Sequence, residues 1–342
     1  MSRRFPLEFN NHGKSILLNR KKIISALRIL ISVVLIGWLI WMADEAQLVE
    51  RLAGADYRYL LLMALVVNLD RFLMATKWNM LLRAKGIILS WGAAISAYYR
   101  ASFFNIFLPT VGSDSYRIVE VSRLTGRSDE IIASVAVERF FGIIATAIMS
   151  LISFVSFVAF IDNDQSWATV VQLLVLLSGL TVILTVSMSS QVQAFIFQML
   201  PVSESKIVKK IRSIFDAYQQ YANQRKTLAI FLGLSVIEQL FQAFSTYFIS
   251  RALGLDIPFV YFVIFIPLVM MIIRLPISFD GYGVRETLYI YFFGLVAVSR
   301  TDAFLLGFLS TILWRIASAP LMIYYFWVNK VDEITFPAEP TS

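Results

Sequence analysis

Apolar residues along this chain gather in long runs that hold few charges. Six runs, at 23–42, 59–82, 131–161, 167–188, 227–250 and 303–328, are each long enough for a helix across a hydrocarbon core of roughly 30 Å. Two further runs, 91–107 and 258–273, are too short: seventeen helical residues reach only about 25 Å. Each short run leads into Leu-Pro, a Gly/Ser/Asp cluster and a closing Arg. The stretches are 108–117, L-P-T-V-G-S-D-S-Y-R, and 274–286, R-L-P-I-S-F-D-G-Y-G-V-R-E. Proline and glycine break a regular helix. The arms that follow, the polar 114–123 and the twelve-residue 287–298, are read as returns to the side of entry. The fold predicted is an all-α polytopic membrane protein with six full spans and two re-entrant broken-helix hairpins.

The order of elements suggests an inverted repeat. One unit is an inward span, a hairpin from the cytoplasm and an outward span; the other is the same with directions reversed. Arg71 lies 38 residues before Pro109, and Glu238 lies 38 before Pro276. Broken segments in matching halves are the usual sequence pointer to a transporter's site at the membrane midplane.

Charges inside the apolar runs mark the candidate residues, because an intramembrane charge is expensive and usually faces a cavity or a partner. Asp70 and Arg71 lie in the second run, Glu138 and Arg139 in the third long one, and Glu238 in the fifth. The broken stretches add Asp114, Arg117, Arg274, Asp280, Arg285 and Glu286. Arg117 and Arg285 are expected to reach one midplane groove and hold phosphate oxygens, since arginine presents a planar fork of donors. Asp114, Asp280 and Glu286 would balance those charges or meet an amine. Glu138, Arg139, Asp70, Arg71 and Glu238 would line or brace the groove. Arg315 is a further charge in the last run.

The flanks set the topology. Residues 1–22 carry Arg3, Arg4, Lys14, Arg20, Lys21 and Lys22 against Glu8, which suits a cytoplasmic tail. The first span is too long for a signal-peptide core and is expected to be retained. An outer loop follows, with Asp44, Glu45, Glu50 and Asp56 against Arg51 and Arg58. Within the membrane domain 23–328, residues 203–224 place Ile207, Ile211, Ile214, Phe215 and Tyr218 on one helical face beside Lys206, Lys209 and Lys210. That pattern reads as a cytoplasmic interfacial helix. The tail 329–342 ends inside by parity of spans. A multi-pass inner-membrane protein with both termini cytoplasmic is expected.

Composition narrows the chemistry. The 342 residues are 58% hydrophobic, with a net charge of +7 that sits mostly in loops. There is no Cys, so no disulfide, thiolate metal site or Cys nucleophile, and the single His12 lies in the polar tail. No P-loop, H-E-x-x-H or G-x-S-x-G occurs. Neither a cofactor nor a metal nor a catalytic residue is expected, and dispersed basic residues without a recognition module argue against nucleic acid. Membrane lipids are the expected partners, with a homodimer or a separate transferase open as protein partners.

Four motifs in order carry a resemblance: F-x-N-x-x-L-P at 103–109, G-S-D-x-x-R at 112–117, E-R-F-F-G at 138–142, and R-L-P-I-S-x-x-G-x-G-x-R-E at 274–286. Over about residues 20–330 the chain resembles the lysylphosphatidylglycerol synthase transmembrane, flippase-like family. The resemblance implies movement of a polar lipid headgroup between leaflets. Better-understood members move aminoacylated phosphatidylglycerol and carry a fused aminoacyl-transferase domain; these residues contain none, so lysyl transfer is not expected. Stand-alone members, some associated with lipid-linked sugars, make an enzyme or accessory subunit acting on lipid-linked glycans or phospholipids the alternative. A secondary transporter of a small hydrophilic solute is a third reading. Ser113 and Asp280 stand where the family often has glycine or a small residue.

Overall fold

The computed structural model describes residues 45–104, 110–160, 219–274 and 281–328, with Leu30, Val33, Val34, Gly37, Trp38, Ser213, Asp216, Ala217 and Ser278 besides. All regular structure among the described residues is helical. The helices are α1 (Glu45–Ala53), α2 (Tyr57–Ala84), α3 (Trp91–Phe104), α4 (Thr110–Thr125), α5 (Ser128–Phe160), α6 (Arg225–Ala252), α7 (Phe259–Ile273), α8 (Val284–Gly294) and α9 (Arg300–Val328), with a 3₁₀ turn at Gln220–Asn223. Four of them, α2, α5, α6 and α9, are long and apolar enough to cross a membrane, so the chain is a multi-pass membrane protein. The span expected at 167–188 and both tails lie outside the described residues, as do Pro109, Pro276 and Asp280; of the span expected at 23–42 only single residues are described, and of the helix expected at 203–224 only single residues and the stretch 219–224.

The sequence runs long, short, short, long, twice. Lengths are 28, 14, 16 and 33 residues for α2 to α5, and 28, 15, 11 and 29 for α6 to α9. None of the short helices reaches the roughly 30 Å core thickness at 1.5 Å per residue. The packing keeps the same order. Helices α2 and α6 cross at the centre; α3 lies on α9 of the other unit, and α7 lies on α5. Every other contact between these eight helices also has a counterpart when the units are exchanged. Both central helices end alike: Gly86 and Gly254, each 29 residues beyond its helix start, take φ of +70° and +71°. Glycine, lacking a Cβ, takes that left-handed turn without the steric penalty other residues meet there, and so stops the helix.

The long helices start two or three residues ahead of the apolar runs, because capping, not hydropathy, sets their ends. At α2 the Asp56 carboxylate accepts from the Arg58 N–H at 2.9 Å. Two expectations change. The acidic outer loop after the first run contains α1, and Arg51 pairs with Asp302 at 2.9 Å at the start of α9. The polar return after the first broken stretch is the sixteen-residue α4.

Aromatic packing holds the second unit: Phe262, Phe265, Tyr289 and Phe293 are each fully buried. In a bilayer such contacts act by close packing, since lipid is as apolar as the side chains. Pro267 sits inside α7 and has no N–H to give to the Val263 carbonyl. Ser153 of α5 donates to that carbonyl at 3.0 Å, and Ser150 donates to the Pro267 carbonyl at 2.8 Å. The broken backbone bond is thus satisfied by a neighbouring helix.

Candidate functional site

A cavity of about 190 Å³ opens between α2, α6, α7, α8 and α9. Three arginines line it: Arg71 of α2, Arg285 of α8 and Arg315 of α9. The hydroxyls of Ser245, Thr246, Tyr289, Ser310 and Thr311 and the amide of Gln242 complete its polar wall, and no carboxylate is among the described lining residues. Two helical stripes supply most of it. On α6, Gln242, Ser245 and Thr246 are spaced i, i+3, i+4; on α9, Ser310, Thr311, Trp314 and Arg315 fall on one face by the same period.

Each arginine is held in place. Arg71 stacks 4.6 Å over Trp314, whose indole N–H donates to Ser245 Oγ at 3.0 Å. Arg285 donates to Thr311 Oγ1. Arg315 donates to the Tyr282 hydroxyl at 2.7 Å and to its own helix's Thr311 carbonyl at 3.3 Å. Yet Arg71 Nε, Arg285 Nε and Gln242 Oε1 are buried with no hydrogen-bond partner among the described residues. Buried unpaired groups cost free energy, so this wall retains capacity to bind.

The turn into α8 aims Arg285. Gly283 caps α8 with φ of +80°, and Glu286 turns back to accept from the Gly283 N–H at 2.6 Å. Glu286 is thereby fully buried as a cap and does not line the cavity.

The first unit builds a different cluster. Arg117 of α4 is 2% exposed and pairs with Asp114 at 2.9 Å and with Glu138 of α5 at 2.7 Å. Tyr98 donates to Glu138 Oε1 at 3.1 Å, and Arg139 holds Asp114 through Nε at 2.7 Å and Nη2 at 2.9 Å. Arg117 also lies 4.9 Å over Trp78 and 5.0 Å over Tyr98. The charges here are matched among themselves and tie α3, α4 and α5 together. Nearby, Arg100 pairs with Glu120 at 2.9 Å.

Asp70 and Glu238 stand in corresponding places, thirteen residues into α2 and α6. Glu238 pairs with Lys77, which also donates to Ser235 Oγ at 2.9 Å. Asp70 is 1% exposed, and both its carboxylate oxygens are buried without a hydrogen-bond partner. Arg274 reaches Thr146 Oγ1 at 2.6 Å.

Of the residues singled out in the sequence, the structure brings Arg71 and Arg285 to one cavity, and Asp114, Arg117, Glu138 and Arg139 to one ion-paired cluster. It does not bring Arg117 and Arg285 to a shared groove: Arg117 is absent from the cavity lining. Sequence reasoning noted Arg315 without assigning it to a site, and passed over the Gln242, Ser245 and Thr246 stripe. A polar stripe at helical spacing inside an apolar helix was the available signal.

Residues 25–323 match the family described as Lysylphosphatidylglycerol synthase TM region. The chain is also similar to a UPF0104 membrane protein of Pyrococcus horikoshii, 21% identical over 303 residues that cover 81% of this chain and 89% of the relative. No solved structure matches.

Proposed function

Because this chain belongs to the lysylphosphatidylglycerol synthase TM region family, we propose that it carries a polar lipid headgroup between the leaflets of the cell inner membrane. The observation that supports this most is the convergence of Arg71, Arg285 and Arg315 on one cavity. Arg71 lies fourteen residues into the 28-residue α2, and Arg315 fifteen into the 29-residue α9. Both therefore stand near the middle of membrane-length helices, where a charge is expensive unless it serves a partner or a ligand. Guanidinium groups suit phosphate oxygens, and phosphate is common to phospholipid and lipid-linked sugar headgroups.

In this reading α3–α4 and α7–α8 are the two re-entrant hairpins, inserted from opposite faces. Segments 23–42 and 167–188 complete six spans, with both termini cytoplasmic. The Arg117 cluster braces the first hairpin, while Asp70, Glu238 and Lys77 fix the crossing of the central helices.

The test is reconstitution into liposomes that hold fluorescent phospholipid in both leaflets, with an impermeant quencher added outside. The protein should let the inner-leaflet signal be lost faster than in protein-free vesicles. An unchanged lipid signal, with release of a trapped hydrophilic solute, would replace this reading with solute transport.

A further inference from the structure

At the crossing of the central helices, α2 and α6 each carry one carboxyl at the same step. Asp70 and Glu238 both lie thirteen residues beyond their helix starts. Only one of them is paired. Lys77 of α2 holds Glu238 of α6 and donates to Ser235 Oγ at 2.9 Å. Lys77 lies twenty residues beyond the start of α2, and the same step of α6 is Ser245. The exchanged pair would join Asp70 to that position, where a serine stands in place of a lysine.

Asp70 is 1% exposed, and both its oxygens are buried with no hydrogen-bond partner among the described residues. Glu238 stands within electrostatic reach and repels its negative charge; Arg71 and Lys77 of its own helix attract it. Those cations are turned elsewhere. Adjacent helical residues do not share a face, and the Arg71 guanidinium stacks over Trp314. Tyr99 of α3 is also within electrostatic reach, but its hydroxyl donates to Asn68 Oδ1 at 2.9 Å. Tyr325 of α9 stacks on the Tyr99 ring, and α5 offers Asp70 no partner among the described residues.

A carboxylate taken out of water with neither oxygen paired is far costlier than the neutral acid. The neutral form suits mid-membrane burial, whereas the charged form needs water or Lys77 to come to it. Ionisable groups so placed in membrane helices commonly serve as proton relays. A hard metal cation needs several oxygen ligands, and no group of three or more metal-ligating side chains occurs among the described residues.

The site adjoins the cavity. On α6, Glu238, Gln242 and Ser245 are spaced i, i+4, i+7 on one face. The last two line the cavity, as does Arg71 beside Asp70. The Glu238 side chain is 14% exposed, so a proton arriving through the cavity meets it before Asp70.

We infer that Asp70 is a proton-carrying site, and that headgroup carriage is coupled to it. Its carboxylate oxygen takes a proton from water at one face of the membrane. The O–H bond breaks again when the site opens toward the other face, and the proton leaves to water there. The coupling rests on the reading of the chain as a lipid carrier; the proton site itself does not.

Infrared difference spectra of purified full-length protein, taken between acid and alkaline pH, read the site directly. Wild type should show the C=O stretch of a buried protonated carboxyl that disappears as pH rises, and Asp70→Asn should lack it. In proteoliposomes, potassium with valinomycin holds the membrane potential at zero while a pH difference of one unit is imposed. Labelled phosphatidylglycerol should then shift its leaflet distribution by up to about tenfold relative to protein-free vesicles, the limit for one proton per lipid. Asp70→Asn should abolish that shift. The wild-type arm needs no variant, so a misfolded variant cannot mask the result. No titrating band in wild type, or a band unaltered in Asp70→Asn, overturns the proton site and leaves lipid carriage standing. Label that crosses but ignores the pH difference, or follows a sodium gradient instead, overturns the coupling. Label that crosses under no gradient overturns the carrier reading and the coupling with it, and the infrared band then decides the proton site.

Discussion

Arg117 and Arg285 close corresponding stretches of the two units, yet their surroundings differ. Ten residues into α5 stands Glu138, which takes Arg117; eleven into α9 stands Thr311, which takes Arg285. Arg117 is met by carboxylates, and Arg285, among the described residues, by a hydroxyl. Replacing Arg117 with Met strands Glu138 in a buried site, and losing one partner of such a pair destabilises by about 3–5 kcal/mol. Thermal melting in detergent should show that loss, whereas Arg285→Gln strands no carboxylate among the described residues and should melt closer to the wild-type temperature than Arg117→Met does. Lys77 and Glu238 extend the same logic. Lys77→Met and Glu238→Met should each lower stability by several kcal/mol, and the double variant should lose about 0.5–3 kcal/mol less than the sum of the two. Strict additivity would mean that the pair is not coupled. At this scale the sequence showed which residues were charged within apolar runs. It could not show which carboxylate met which arginine, because Glu138 lies 21 residues from Arg117 and the meeting depends on how α4 packs on α5.

Helices rather than residues decide the cavity's shape. Gly307 of α9 faces α8 so closely that an added Cβ would lie 3.1 Å from Tyr289 Cγ and 3.3 Å from the Glu286 Cα. Backbone cannot yield there, so Gly307→Ala should cost about 1–3 kcal/mol. Because Tyr289 lines the cavity, the same change should weaken lipid binding. Normal melting with normal binding would show that the α8–α9 spacing does not matter. Where α2 ends, Lys85 donates to Gln220 at 2.9 Å and lies 4.4 Å over Tyr221. Burial lowers its ammonium from 10.5 to about 8, with Glu130 opposing and Arg127 adding to the shift. The unfolded chain then holds more protons between about pH 8 and 10.5, so this group's contribution to stability rises with pH across that window. Lys85→Gln should remove that part of the slope, seen as a difference between the two melting profiles. The long helices and the short broken ones were legible from run length and from proline and glycine. Helix α1 was not, because its nine residues are short and lie in a charged segment.

At the scale of the whole molecule, the repeated order of long and short helices and the exchange-symmetric packing argue for two units that share one ancestral plan. The proposed insertion of those units from opposite faces has a direct check, since the chain contains no cysteine. Single cysteines at Arg123 and Gln224 should react with an impermeant thiol reagent only from the cytoplasmic side. Those at Asp256 and Arg300 should react only from the outside; labelling of either pair from both faces would contradict the arrangement. Among the described residues the units are alike in fold but unlike in their arginines, Arg117 being held by Asp114 and Glu138 while Arg285 lines a cavity with Arg71 and Arg315. The central claim is that this cavity handles the headgroup. Leaflet translocation of labelled phosphatidic acid in proteoliposomes, normalised to folded protein, tests it most directly. Arg285→Gln and Arg71→Gln should slow the rate about tenfold or more, while Arg51→Gln, at the far α1–α9 contact, should leave it near wild type. Wild-type rates in both cavity variants would contradict the account.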